Sequence, residues 1–228
     1  MAAGNVYDNR FDGIQASYGK DIKLTAGYGK ATASTASHLM GYTGVKEDGK
    51  EIKDFSDQVV YADLSGKFGN FGLGVGYYSF DWDNDTMSTG VVGAEDIDIW
   101  QATASYDFGK DFKLSATYLM GDDQFGENYK DVDDDGYVVT AAYKGAKASQ
   151  PGSWGLSATY YDQGMTTYVD HTMNGKADKM DGFKGYNVTA NYTFAKNIVG
   201  QVEWYDLEEK EGDERESQTL WAQMLFTF

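Results

Sequence analysis

From Asp12 onward apolar and polar residues alternate with a period of two, in runs of about nine to eleven residues separated by turn-forming sequence. In 22–29, Ile22, Leu24, Ala26 and Tyr28 fall on one side of an extended chain, and Lys23, Thr25, Gly27 and Gly29 fall on the other. A strand built this way has one apolar and one polar face. The division recurs in 112–120, where Phe112, Leu114, Ala116, Tyr118 and Met120 oppose Lys113, Ser115 and Thr117. It returns in 186–194, where Tyr186, Val188, Ala190, Tyr192 and Phe194 oppose Asn187, Thr189, Asn191 and Thr193. The 3.6-residue spacing of a helix takes hold nowhere. The pattern predicts eleven strands, near 11–19, 22–30, 58–66, 70–80, 97–108, 112–120, 137–145, 154–162, 184–194, 198–207 and 217–228.

The connections alternate in length. Tight ones at Gly19-Lys20-Asp21, 66–70, Gly109-Lys110-Asp111 and Ala195-Lys196-Asn197 are separated by long polar ones. Bacterial membrane barrels sort short turns to the periplasmic side and long loops to the outside, whereas a soluble sandwich has no reason to sort loops by end. One hairpin unit repeats: Tyr18-Gly-Lys-Asp-Ile-Lys-Leu24 is nearly copied by Phe108-Gly-Lys-Asp-Phe-Lys-Leu114. An aromatic closes one strand and an apolar residue opens the next, which places aromatics at a membrane interface. The fold class expected is all-β, an antiparallel transmembrane β-barrel.

Composition fits this reading. Eighteen Tyr, 28 Gly, one Pro and no Cys form a strand-and-turn vocabulary without disulfides. A net charge of −17 with no run of Lys or Arg excludes nucleic acid as a partner. No stretch reaches the roughly 20 apolar residues of a membrane-spanning helix. The low mean hydropathy of −0.54 is that of a barrel whose alternate residues face water.

The polar face supplies the candidate pore lining: Lys23, Thr25, Tyr61, Asp63, Gln101, Thr103, Asp107, Lys113, Ser115, Thr117, Asn187, Asn191, Gln201 and Glu203. A wet channel suits these side chains, because a dry interior would leave them unsatisfied. Val188→Arg is expected to be costly on the lipid face and Asn187→Arg tolerated. The segments 81–98, 121–136 and 206–216 hold twenty of the 36 acidic residues, and acid at a pore mouth favours cations. The same clustering also serves solubility alone.

Asp131, Asp133 and Asp135, followed by Gly136, match the first half of a calcium loop, but Ala142 stands where a bidentate Glu would close it. Loop-bound calcium is the one cofactor the sequence suggests. Catalysis has little to work with. His38 and His171 lie in different loops, there is no Cys, and adjacent Asp170 and His171 point apart on an extended chain. Gly72, Gly74 and Gly76 alternate within a strand, so they thin an inner wall and do not cradle phosphate.

Leu220, Ala222, Met224, Phe226 and Phe228 share one face and end on an aromatic, a pattern expected of strands that the barrel-assembly machinery recognises, with Phe226 and Phe228 as the signal. The segment Tyr143-Lys-Gly-Ala-Lys-Ala-Ser-Gln-Pro-Gly-Ser-Trp-Gly155, with Asn191-Tyr-Thr-Phe-Ala-Lys-Asn-Ile-Val-Gly200 and the terminal Phe228, resembles the outer-membrane porins of diderm Firmicutes that carry S-layer-homology domains. The resemblance covers the second half of the chain, and Ala16-Ser-Tyr-Gly19 and Ala26-Gly-Tyr-Gly-Lys30 extend it through generic motifs. It implies a sixteen-stranded barrel in a homotrimer, embedded in the outer membrane, through which small hydrophilic solutes diffuse. The alternative is a structural barrel, an envelope anchor or adhesin with a plugged channel.

The first ten residues have neither the basic nor the apolar region of a secretion signal, so the numbering is expected to begin within a mature form or a fragment. The first and last predicted strands run in the same direction, and bacterial single-chain barrels avoid odd counts. Residues 1–10 are therefore expected to be the tail of a preceding inward loop, and 11–228 the carboxy-terminal part of a larger barrel.

Overall fold

The computed structural model describes residues 4–8, 10–31, 46–47, 50–51, 56–81, 96–125, 129–130, 132–212 and 215–228. Eleven strands form one sheet: β1 Phe11–Gly19, β2 Ile22–Ala31, β3 Ser56–Phe68, β4 Phe71–Asp81, β5 Asp96–Phe108, β6 Phe112–Met120, β7 Asp135–Lys144, β8 Trp154–Gln163, β9 Asp181–Ala195, β10 Ile198–Glu211 and β11 Glu216–Phe226. Each pairs antiparallel with its neighbours in chain order. Among the described residues, the outer edges of β1 and β11 pair with no strand. Two short hairpins, Lys46–Glu47 with Lys50–Glu51 and Gln124–Phe125 with Tyr129–Lys130, stand apart from the sheet.

The tight turns reverse the chain where the backbone goes left-handed. Gly19 (φ 99°) and Gly109 (φ 71°) do this without a Cβ, and Asn197 (φ 65°) is among the residue types that tolerate it best. The long-loop ends extend further than the alternation predicts. In the β9–β10 hairpin, Asp181 pairs with Glu211 and Lys184 with Glu208. These charged residues carry no apolar face, so no period marks them as strand. Lys184 and Glu208 add an ion pair at 3.3 Å.

One face of the sheet is apolar and exposed. Leu24, Leu64, Leu73, Val75, Leu114, Leu156, Val188 and Val202 are each 40–53% exposed on it. Aromatic residues flank this band on both sides. Tyr28, Trp100, Tyr118, Tyr137, Tyr160 and Tyr186 lie toward the long loops, and Phe68, Phe71, Phe108, Phe112, Tyr143, Trp154, Tyr192 and Phe194 toward the tight turns. A continuous apolar surface of this extent marks a surface that does not face water. The aromatic girdles give it the profile of a lipid-facing wall.

The opposite face is the inner one, because two further segments pack on it. Residues 4–8 and 164–180, the latter with 3-10 turns at Met165–Thr167 and Ala177–Lys179, cover its long-loop half. There Val59, Phe80, Ile97, Ile99, Leu119 and Phe183 from the strands bury themselves against Val6, Tyr7, Met165, Tyr168 and Val169. The two segments meet in a parallel bridge between Tyr7 and Asp170. Asp8 N–H donates to the Asp170 carbonyl at 2.9 Å and Val169 N–H to that of Val6 at 2.8 Å. The inner face is thus polar in the tight-turn half and apolar in the other, where alternation alone suggested a polar lining throughout.

Candidate functional site

The fourteen residues assigned to a pore lining lie on the inner face in two groups that do not meet in one cluster. The first spans β2 to β6. Thr25 stands opposite Asp63, Asp63 opposite Gly76, and Gly76 opposite Gln101. Because Gly76 has no side chain, polar groups reach across β4: Asp63 Oδ1 accepts from the Tyr78 hydroxyl at 2.5 Å and from Gln101 Nε2 at 3.2 Å. A Cβ on Gly76 would stand 2.5 Å from that oxygen. Thr103 and Thr117 share a hydrogen bond at 2.9 Å, and Lys67 pairs with Asp107 at 2.7 Å. Lys23 and Lys113 are exposed, Thr25, Gln101, Thr103, Asp107, Ser115 and Thr117 are half-buried, and Tyr61 and Asp63 are buried. A recess of about 510 Å³ opens here, floored by Gly72 and Gly74 and walled by Lys23, Asp63, Lys67, Gln101, Thr103 and Ser105.

The second group sits on β9 and β10. Asn187 and Glu203 are buried, and Asn191 and Gln201 are half-buried and face each other. Glu203 accepts from the Tyr205 hydroxyl at 2.6 Å, from Gln201 Nε2 at 2.7 Å and from Asn174 Nδ2 at 2.8 Å. Asn174 belongs to the inner segment, so Glu203 ties that segment to the wall.

The inner segment itself is what sequence reasoning missed. Gln163 Nε2 donates to the carbonyl of Asn5 at 3.2 Å, and the Thr166 hydroxyl to that of Asp122 at 2.6 Å. The Tyr168 hydroxyl lies within reach of the carbonyls of Met180 and Ala177, at 2.5 and 3.2 Å. The available signal was the apolar content of Met165, Tyr168, Val169, Met173, Ala177 and Met180 in a connection outside the strands.

His171 is buried in this layer. Its ring meets Tyr161, Phe183 and Tyr168 edge-on, at 5.5, 5.5 and 6.3 Å between centroids. Its Nδ1 accepts the Met173 N–H at 3.2 Å, which makes it the unprotonated ring nitrogen. Burial pushes its pKa down to about 3, against an opposing pull from the Asp8 carboxylate. It is a packing residue in a neutral state. His38 lies outside the described residues.

Of the proposed calcium ligands, Asp131 lies outside the described residues. Asp133 pairs with Lys210, which also reaches Asp162 at 2.5 Å, and Asp135 accepts from the Tyr118 hydroxyl at 3.2 Å. Among the described residues no three carboxylate or imidazole ligands come together. Of the two residues expected to signal assembly, Phe226 ends β11 and Phe228 is fully exposed beyond it.

No protein-family model matches the sequence, and no curated protein is similar to it. Solved structures do resemble it. A porin refined at 1.8 Å resolution superposes with a TM-score of 0.53 at 14% identity, over 96% of this chain and 62% of that one. Salmonella typhi OmpF in complex with daunomycin superposes with a TM-score of 0.52 at 14% identity, over 90% of this chain and 56% of that one. The chain therefore spans about three fifths of the length of these structures. At this identity the likeness concerns the fold: the chain has the all-β, antiparallel architecture of a porin barrel.

Proposed function

We propose that this chain is wall and lumen of an outer-membrane porin through which small hydrophilic solutes and ions diffuse passively. The observation that carries this is the two-faced sheet: a girdled apolar band outside and a hydroxyl-, amide- and charge-bearing belt inside. A solute crossing such a wall exchanges water for water and belt groups, so the lumen needs no catalyst and no cofactor to conduct. The expected test is liposome swelling with neutral sugars of graded size. Small sugars enter and larger ones are excluded; impermeability to all of them removes the reading.

The finer points are part of the same proposal. In lipid every backbone N–H and C=O has to be paired, so the free edges of β1 and β11 call for further strands to complete the ring. This fits the resemblance to the S-layer-homology porins of diderm Firmicutes, with assembly by the barrel machinery and a homotrimeric whole. The acid concentrated at the long-loop end favours cations. A salt gradient should therefore give a reversal potential of cation-selective sign; an anion-selective sign contradicts the preference. Deleting Phe228 should lower membrane levels in cells while leaving refolding in detergent unchanged, and equal membrane levels would remove the assembly signal.

The inner segments favour a second reading, a plugged structural barrel. They pack mainly against the long-loop half and touch the polar belt at Glu203 through Asn174, while a recess beside Lys23, Asp63 and Gln101 stays open, which supports a narrowed channel over a closed one.

A further inference from the structure

The connection between β7 and β8, residues 145–153, is the longest described one on the tight-turn side, and no property of a channel uses it. It holds a fixed shape. The Lys147 N–H donates to Ser153 Oγ at 2.7 Å, and the Ser153 hydroxyl donates to the Gln150 carbonyl at 2.7 Å. The Gly152 N–H donates to the Thr193 carbonyl at 2.8 Å and the Asn197 N–H to that of Ala148 at 2.7 Å. Such a frame fixes the backbone that carries Lys147.

Lys144 stands at its entrance with φ 57°, a left-handed conformation unfavourable to any residue with a Cβ. The alternation would send this side chain inward with Thr140 and Ala142. Instead its ammonium lies over the outward rings of Trp154, 4.7 Å from the centroid, and Tyr143, at 5.2 Å. The strained backbone thus turns a cation toward the aromatic girdle. Lys110, Lys144 and Lys147 line a recess of about 440 Å³ beside Trp154, and Asp111 is the one acid among the residues lining it. The recess carries a net positive charge in a chain whose total is −17. It opens next to the apolar outer face, where Leu156 is exposed.

We propose that this recess binds the phosphate headgroup of an anionic phospholipid, with the acyl chains lying on the outer face beside Trp154 and Leu156. The inference rests on the membrane-spanning reading of the sheet. Ammonium groups held at the depth of interfacial aromatics meet phosphates, and a headgroup anchored there brings its chains onto the adjoining apolar wall. A free phosphate would gain nothing from the neighbouring apolar surface.

The protein refolded in a neutral detergent is offered phosphatidylglycerol or phosphatidylcholine, and retained lipid is counted by native mass spectrometry. Phosphatidylglycerol is retained in preference, and the double variant Lys144→Gly, Lys147→Ser loses that preference by roughly tenfold or more. The control Lys20→Ser, Lys196→Ser keeps it. Glycine suits the left-handed position and offsets the lost ring contacts, so Lys144→Gly alone keeps the unfolding midpoint near the parent's while weakening lipid retention, a pairing that misfolding does not produce. Equal retention of the two lipids, unchanged retention in the double variant, or displacement of the lipid by equimolar inorganic phosphate overturns the proposal. The measurement needs no current, so a failure of the channel reading would show separately.

Discussion

Arginine in place of Leu114 is expected to destabilise the bilayer-inserted protein by roughly 2–4 kcal/mol, whereas arginine at Ser115, one residue on, should cost less than about 1 kcal/mol. Leu114 is 40% exposed in the middle of the apolar band of β6, between Tyr106 and Ala141. A charge there has no water and no partner within the sheet plane. Ser115 is half-buried on the inner face between Ser105 and Thr140, beside the polar recess, where a guanidinium stays hydrated. Denaturant titrations of the two variants in lipid vesicles decide the matter, and equal costs would remove the lipid-face assignment. Asn187 is a poorer control than its place in the alternation suggests. It is only 5% exposed, and its amide is engaged by Thr189 and the Trp204 carbonyl, so an arginine there would break packing that has nothing to do with lipid.

Acid should release the inner segment. In the packed state the His171 pKa lies at about 3, while a released histidine titrates near its ordinary 6.5. Above pH 6.5 both states are neutral and packing loses nothing. As pH falls below 6.5 the released state takes up a proton that the buried ring refuses, so packing weakens progressively until the buried pKa is reached. At pH 4.5 the loss amounts to roughly 3 kcal/mol. Of the charged groups nearby, the Asp8 carboxylate favours the protonated ring and softens the effect, while the surrounding Tyr161, Tyr168 and Phe183 offer the cation little hydration. Amide exchange in 164–180, corrected for its intrinsic pH dependence, should accelerate between pH 7 and 4.5. In His171→Phe it should stay flat. The same acceleration in both proteins would show that another group controls the packing.

The strands were legible because a period of two, set against the repeated turn of Tyr18-Gly-Lys-Asp-Ile and Phe108-Gly-Lys-Asp-Phe, admits one register, and a slip by a single residue would exchange lipid and lumen faces. Where that pairing of faces ends, legibility ends too. Glu208–Glu211 continues as strand with no apolar residue of its own, held by backbone pairing to 181–184, and nothing periodic announces it. The covering segment 164–180 and its pairing with residues 4–8 were hidden for another reason. Val6 and Tyr7 meet Val169 and Asp170 across more than half the chain, and such contacts leave no local pattern. Ile97 and Ile99 occupy the same face as Gln101 and Thr103, a change from apolar to polar along one face that only a covering segment explains.

For the candidate site, alternation puts the fourteen candidate residues on one face of the sheet, as the strand register does, since face is a local property. It could not tell the exposed Lys23 and Lys113 from the buried Asp63 and Glu203, because burial there depends on Tyr78, which arrives from the neighbouring strand, and on Asn174, which arrives from the inner segment.

The central claim is that this sheet forms the wall of a water-filled channel, and single-channel recording of the refolded protein in planar bilayers tests it most directly. The account predicts stepwise current increments that rise linearly with voltage. Bilayers that contain the inserted protein and yet stay silent at every voltage would contradict it.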